Sequence, residues 1–276
     1  MNLLLTHETA IRLGCFAAVL LLMACWEWRR PRRSLALSRW RRWPANLGLA
    51  VLNGLAVRLA VPVLAVSAAQ EVAARAWGLF NLLDVPFWLA CGVSLLALDL
   101  AIYAQHVIFH KAPWLWRLHR MHHTDTGFDV STALRFHPLE IMLSMLIKVT
   151  LVVVLGAPAV AVLLFEIILN ATAMFNHGNV RLPETADRVL RLFLVTPDMH
   201  RVHHSIHREE TDSNFGFNLP WWDHLFGTYR AQPRDGHAGM AIGLEIFRDY
   251  RSLSLPWLLL QPFLKASISG VAGNRR

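Results

Sequence analysis

The sequence has few cysteines and lacks the short motifs that bind common redox cofactors. Its three cysteines, Cys15, Cys25 and Cys91, lie singly in apolar segments, so no disulfide framework is implied. It contains no CxxCH haem-attachment motif, no cysteine run of the ferredoxin type and no GxGxxG dinucleotide fingerprint. These absences exclude a chain that carries its own haem, iron–sulfur cluster or dinucleotide by a familiar motif.

Acidic residues are also scarce, with 19 Asp and Glu against 27 Lys and Arg, which gives a formal net charge of +8. The chain is 55% hydrophobic and has a mean hydropathy of +0.37, which is too apolar for an ordinary soluble domain. Seven arginines lie between Arg29 and Arg42, directly after an apolar stretch. We expect this run to mark the cytoplasmic side and to contact anionic lipid headgroups, and we expect no nucleic-acid partner.

Apolar stretches predict an all-α, polytopic membrane protein with about four to five transmembrane helices. We expect spans near 11–28, 47–68 and 85–104, the first of them a retained helix and no cleaved signal peptide, and an interfacial segment at 70–83. The second span would carry Arg58 near its middle. A fourth apolar stretch, 141–175, is interrupted at Gly156 and Pro158 and predicts a helical hairpin.

Histidines form three rows, in the words HVIFH, HRMHH and HRVHH. Residues three and four apart share one face of a helix, so each row would present several imidazoles together. A lone histidine on a helix is more often an ordinary polar residue than a ligand, but three clustered rows favour metal binding. Imidazole suits Zn, Cu and Fe, and eight such ligands exceed what one ion accepts. The rows therefore predict a site for two metal ions.

The predicted spans place all three rows on one face of the membrane. If the arginine run is cytoplasmic, two further crossings return the chain to that side just before the first row. The hairpin also begins and ends on one side, so the third row would lie there too. We thus expect a cytoplasmic helical cap that holds a histidine-rich dimetal site.

The three rows, set around an apolar hairpin, resemble the fatty acid hydroxylase / sterol desaturase superfamily of membrane di-iron oxidases. The words RFHPLE, NHGNV, TPDMHRVHHS and WWDHLFGTYR are similar to those of bacterial sterol-desaturase-like members, and the resemblance covers residues 95–230. It implies a catalytic domain at 85–232, between N-terminal membrane helices and an interfacial segment (1–84) and a C-terminal interfacial tail (233–276). It implies eight histidines that bind the metals and take part in catalysis: His106, His110, His119, His122, His123, His200, His203 and His204. It also implies a ninth metal ligand, His177, in the family's short histidine motif after the hairpin.

Other polar residues could support the site. His137 and His207 are candidates for extra ligands, although a supporting or interfacial role fits His137 slightly better. Carboxylates can orient metal-bound imidazoles by accepting their second N–H. Asp198 and Asp223 are the first candidates for this role, among a wider group of Asp99, Asp125, Asp129, Glu140 and Glu184. His237 lies outside every row, so we expect it to be solvated and its replacement by alanine to be silent.

The resemblance implies two Fe ions, with Zn as a possible substitute, and O2 as co-substrate. The reaction would hydroxylate or desaturate a C–H bond of a lipid, such as a sterol, fatty acyl or ether lipid, that enters from the bilayer. Electrons would come from a separate donor protein, and the membrane would be the bacterial inner membrane. Three alternatives stay open: a membrane dizinc hydrolase acting on lipids, a bis-histidine haem protein and a non-enzymatic metal-binding or transport protein.

Overall fold

The computed structural model describes residues 2–265 except positions 36 and 62, with the side chains of residues 2 and 3 also left out. The last part of the predicted interfacial tail, 266–276, lies outside the described residues. The α-helices are α1 (Asn2–Thr6), α2 (Glu8–Arg29), α3 (Arg39–Ala60), α4 (Ala65–Ala74), α5 (Leu79–Leu82), α6 (Phe87–Lys111), α7 (Pro113–His123), α8 (Pro138–Leu155), α9 (Ala159–Asn176), α10 (Glu184–Leu190), α11 (Pro197–His203), α12 (Arg208–Thr211), α13 (Trp221–Leu225), α14 (Gly236–Gly239) and α15 (Leu255–Leu260). Short 3-10 helices span Val130–Leu134, Tyr250–Leu253 and Gln261–Phe263.

Helices dominate the described part of the chain, where β-structure is limited to two isolated bridges, Pro31 with Val180 and Ser205 with Ile242. Among the described residues, five helical stretches are long and apolar enough to cross a membrane: α2, the stretch from α3 to α5, α6, α8 and α9. Leucines such as Leu13, Leu21 and Leu22 are exposed on α2, as expected for a helix that faces lipid. The predicted all-α, polytopic fold is confirmed.

The second predicted span, 47–68, is wrong in its bounds. α3 begins eight residues earlier and ends at Ala60, so Arg58 lies in the last turn and is exposed, where its side chain can reach an interface. The chain then resumes in α4, whose Ala65, Val66 and Ala69 are buried against the hairpin of α8 and α9. Small side chains let α4 approach these helices closely. The interfacial segment predicted at 70–83 did not include this packing.

The predicted hairpin is confirmed, with its turn at residues 156–158 between α8 and α9. Gly156 has φ +70° and caps α8 in the left-handed conformation, which favours glycine. Gly78 (φ +86°) lies against it so closely that a Cβ on Gly78 would stand 2.3 Å from the Gly156 nitrogen. Glycine is therefore required at both positions of this contact.

One end of the helical bundle carries the cap. There the C-terminal ends of α2, α6 and α9 and the N-terminal ends of α3 and α8 meet α7, α11 and the connecting loops. Glu27, at the end of α2, is fully buried and accepts hydrogen bonds from the backbone N–H groups of Val130 and Asn179. The ends of separate helices are thus tied to the loops that carry the histidines.

Candidate metal centre

Nine buried histidines lie at the junction of the bundle and the cap, in two neighbouring groups. The first, here the five-imidazole cluster, contains His106, His110, His119, His123 and His203. The second, the four-imidazole cluster, contains His122, His177, His200 and His204. Within each cluster the potential ligand nitrogens lie within 4.8 Å of one another. The clusters adjoin, because the ring centroids of His123 and His204 are 4.6 Å apart.

Hydrogen bonds fix the tautomer of several imidazoles. His106 Nδ1 donates to the Phe215 carbonyl at 2.7 Å, and His119 Nδ1 donates to Glu140 Oε1 at 2.6 Å. In the neutral rings Nε2 then carries a lone pair and no proton. Yet the two Nε2 atoms lie 3.1 Å apart. Two facing lone pairs at that distance are explained by a cation between them.

The four-imidazole cluster shows the same arrangement. His122 Nδ1 donates to the Arg135 carbonyl and His177 Nδ1 to the Ala173 carbonyl, while their Nε2 atoms are 3.1 Å apart. Imidazole nitrogens bound to one ion at metal–nitrogen distances of about 2.0–2.1 Å are separated by roughly 2.9–3.4 Å. The spacing in both clusters fits such a shared ion.

Buried nitrogens without a hydrogen-bond partner give a second test of fit. His110 Nε2 and His203 Nε2 have none, although the Nδ1 of each ring is engaged by Asp212 and by the Ser213 carbonyl. Neither nitrogen of His123 has a partner. Leaving so many buried polar atoms unpaired is costly, and metal coordination would satisfy them. The donor set therefore fits two metal ions held by neutral imidazoles.

The low pKa values of these imidazoles also favour metal binding. Burial, with repulsion from neighbouring imidazoles, lowers the pKa well below its ordinary value in His122, His123, His200 and His204. Burial lowers the pKa of His177 to about 4 and that of His203 to about 3. These imidazoles are neutral at pH 7, the state in which a histidine can bind a metal.

Two carboxylates orient imidazoles of the five-imidazole cluster. Glu140, at the start of α8, accepts from His119, and Asp212 accepts from His110 Nδ1 at 3.2 Å. Glu140 was among the wider sequence candidates, whereas Asp212 was missed because it follows a short helix outside every motif. An accepting carboxylate raises the basicity of the imidazole and holds its ring in place.

Replacing Glu140 with glutamine should weaken metal binding by about 10- to 100-fold, because the neutral amide polarises His119 less than a carboxylate does. Metal retained during titration with a competing chelator measures the effect. Glu184→Gln is the matched control, since the Glu184 side chain is 89% exposed and pairs with Arg188 on the surface. Equal chelator resistance of both variants would contradict the role given to Glu140.

Asp198 and Asp223 do not accept a hydrogen bond from a cluster imidazole, which corrects the first choice made from the sequence. Asp198 pairs with Arg32 and with Arg201. Asp223 accepts from the backbone N–H groups of Phe215 and Gly216, both at 2.8 Å. It thereby shapes the loop whose Phe215 carbonyl holds His106. Their closeness to the histidine motifs in the sequence did not predict that both carboxylates bind other groups.

His137 and His207 both lie outside the two clusters. His137 caps α8 by accepting from the Leu139 N–H, and its Nε2 donates to the Leu259 carbonyl. His207 Nε2 donates to Asp235 at 2.7 Å. Arg181, four residues after His177, is exposed.

The arginine run is only partly exposed, and several of its members bind protein groups, a role that the sequence analysis did not predict. Arg42 is fully buried and forms ion pairs of 2.7 Å with both Asp125 and Asp129, in the loop that follows HRMHH. Burial by itself raises the pKa of Asp125, but the Arg42 guanidinium holds it well below its usual range. Arg32, Arg33 and Arg39 also bind protein groups. Exposed arginines of the run are Arg29, Arg30 and Arg41.

His237 is buried, with 7% of its surface exposed, so the expectation that it is solvated is wrong. It packs 3.7 Å from Asp198 beneath α11. We expect His237→Ala to lower stability by about 1–3 kcal/mol, because it opens a cavity in the cap. The apparent midpoint of thermal unfolding measures this, and metal content should stay unchanged. A midpoint equal to that of the wild type would contradict the packing role.

Comparison with known proteins agrees with this geometry. A model of the fatty acid hydroxylase family matches residues 91–228, half of the chain. An ornithine lipid hydroxylase from Rhizobium tropici is 27% identical over 183 residues, which are 66% of this chain and 53% of that protein. Human alkylglycerol monooxygenase is 29% identical over 185 residues (63% and 39%), and rat cholesterol 25-hydroxylase is 25% identical over 142 residues (51% and 47%).

The matches thus span about half the length of these relatives or less. No solved structure matches the chain significantly. The matched region contains all nine histidines of the two clusters. From this match, and from the histidine rows that first indicated the resemblance, the chain belongs to the fatty acid hydroxylase family.

Proposed function

We propose that this protein is an integral membrane oxygenase that hydroxylates a C–H bond of a lipid with a pair of iron ions, O2 and external electrons. The observation that most strongly supports this function is the pair of adjoining imidazole clusters at the ends of the membrane helices. All nine residues would be ligands, five for one ion and four for the other. When bound, the irons would supply the activation of O2 that an unactivated C–H bond requires.

The protein's own residues would position and shield this chemistry. Glu140 and Asp212 hold imidazoles of the five-imidazole cluster in the Nδ1–H tautomer. Phe136 stacks on His122 with ring centroids 4.4 Å apart, and Phe215 and Phe217 cover His106 at 5.4 and 5.0 Å. These rings exclude water from the imidazoles, which strengthens electrostatic interactions in the site and limits side reactions.

A lipid chain could reach the site from the bilayer between α6 and α8. A narrow crevice lies there, lined mainly by apolar residues, with Gln105, Ser144 and Lys148 as polar groups, and it would have to widen to admit a lipid chain. Gln105 directly precedes the ligand His106, and Ser144 lies one helical turn from Glu140. A substrate chain in this crevice would have its polar end near the clusters and its tail in the membrane.

The clusters would face the cytoplasm, in the bacterial inner membrane. Exposed Arg29, Arg30 and Arg41 lie at the same end of the bundle as the histidines, which agrees with the excess of basic residues on cytoplasmic sides. Electrons would then come from a cytoplasmic carrier protein. Hydroxylation is proposed over desaturation because the relatives reported above are named hydroxylases and monooxygenases.

Isotope labelling tests this function. Iron-loaded protein in lipid nanodiscs would be reduced, given ¹⁸O2 and a bacterial lipid extract, and the lipids analysed by mass spectrometry. One ¹⁸O atom in a lipid product is expected, with His203→Ala as the inactive control. Loss of two hydrogens without label would indicate desaturation, and cleaved esters or amides without O2 consumption would indicate the dizinc hydrolase.

A further inference from the structure

Trp116 lies between the five-imidazole cluster and the protein surface. Its ring centroid is 4.8 Å from that of His110, 5.4 Å from His123 and 6.4 Å from His119. It shares a face of α7 with the last two, which follow it by seven and three residues. The half-buried indole therefore contacts three of the five rings.

An exposed cation covers the outer side of this indole. The Arg208 guanidinium carbon stands 5.4 Å from the Trp116 ring centroid, within the range of a cation–π interaction. The Arg208 side chain is 63% exposed. A continuous path of contacts thus leads from solvent to the cluster through one aromatic ring.

A second cation is held at the same place. Asp212, only 16% exposed, binds Arg208 Nε at 2.8 Å and lies 3.7 Å from Lys111 Nζ, while it accepts from His110. The Asp212 carboxylate is thus mostly buried, whereas the Lys111 side chain is 61% exposed. We name Lys111, Trp116, Arg208 and Asp212 the Trp116 patch, which presents net positive charge.

The N-terminal arginine run is a weaker candidate for the same role. Four of its seven arginines bind protein groups, as described above. Its exposed members, Arg29, Arg30 and Arg41, have no described contact with a cluster imidazole. Only the Trp116 patch, within the described part of the chain, joins exposed cations to the cluster by an aromatic ring.

We propose that an acidic one-electron carrier protein docks on the Trp116 patch and that Trp116 conducts its electrons to the five-imidazole cluster. This rests on the proposed function. Each encounter would oxidise the carrier by one electron and pass that electron to the iron pair that the clusters would hold, so two encounters would supply the two electrons of one turnover. With O2 and two protons, these electrons would place one oxygen atom in the C–H bond and release the other as water.

Docking can be measured on metal-free protein in nanodiscs, with a plant-type [2Fe–2S] ferredoxin, which is acidic, as the probe. The double variant Lys111→Glu/Arg208→Glu should bind it at least about tenfold more weakly at low ionic strength, because opposite charges become like charges. Wild-type binding should weaken steeply with salt, and the variant's should not. Arg30→Glu/Arg41→Glu is the charge-matched control and should bind as the wild type does.

The docking claim is overturned if the control loses binding and the patch variant keeps it, which would place the carrier on the N-terminal run. It is equally overturned if the wild-type protein does not bind the ferredoxin at low salt. Neither outcome depends on lipid turnover. The proposed function could therefore fail in the ¹⁸O2 experiment while docking stands, and the reverse holds too.

Conduction is measured by stopped-flow reduction of the iron-loaded protein. Trp116→Phe should lower the rate at saturating ferredoxin by about tenfold, leave the half-saturating concentration unchanged and leave reduction by dithionite unchanged. Lys111→Glu/Arg208→Glu should do the opposite and raise the half-saturating concentration alone. Trp114→Phe, at a 66% exposed indole two residues away, is the control. A saturating rate unaffected by Trp116→Phe would show that this ring only shields the cluster.

Discussion

His122→Ala and His203→Ala should each weaken the binding of one of the two metal ions, so that metal is lost more readily, and lower activity below about 1% of the wild type. The structure puts these residues in different clusters, so the variants should differ in detail. His122→Ala leaves three imidazoles for its ion, whereas His203→Ala leaves four. The ion of the five-imidazole cluster should therefore resist loss longer when iron is withdrawn.

Metal analysis after graded chelation, with activity measured on the same samples, checks this order. Both variants should still insert in the membrane, because no candidate span depends on either side chain for its apolar surface. His7→Ala is the control, at an exposed histidine before α2. Two ions per chain and full turnover in either variant would show that its cluster is not a metal site.

Arg42→Met should destabilise the protein by about 3–5 kcal/mol, the second large effect that we expect. Arg42 is the buried cation for Asp125 and Asp129, and without it two carboxylates remain in the interior with fewer partners. The apparent midpoint of thermal unfolding in detergent should fall by roughly 10 °C or more. Arg41→Met, at the exposed neighbouring position, should change the midpoint little.

The loop that Arg42 holds also carries the site, so Arg42→Met protein that does fold should lose metal more readily. Thr132 and Asn46 add hydrogen bonds to Asp125, and Arg135 donates to the Met121 carbonyl within the second histidine row. An unfolding midpoint equal to that of the wild type would mean that these ion pairs are replaceable by water. Arg42 would then have no part in holding the HRMHH segment.

Much of the fold and the histidine clusters could be predicted from the sequence because both follow from local patterns. Apolar runs of sufficient length predicted the membrane helices, and Gly156 with Pro158 predicted the hairpin turn. Helical spacing predicted that imidazoles within each row share a face, as His106 and His110 do on α6. The family resemblance supplied His177, which no row contains.

The partners of these residues could not be predicted, because they depend on contacts between distant segments. Arg42 and Asp125 are 83 residues apart, and His110 and Asp212 are 102 apart. A basic run after a span has the same appearance whether it faces lipid or binds carboxylates, so Arg42 was taken as a surface residue. Nor does any sequence signal mark the backbone carbonyls of Ser213 and Phe215 that fix the tautomers of His203 and His106.

Elemental analysis of the purified, iron-supplied protein, with Mössbauer spectroscopy on a ⁵⁷Fe sample, tests the central claim most directly. The two imidazole clusters predict about two irons per chain and an antiferromagnetically coupled ferric signal, since the clusters adjoin. Two zinc ions that iron cannot displace, with no O2 consumption on reduction, would contradict the di-iron oxygenase and favour the dizinc hydrolase.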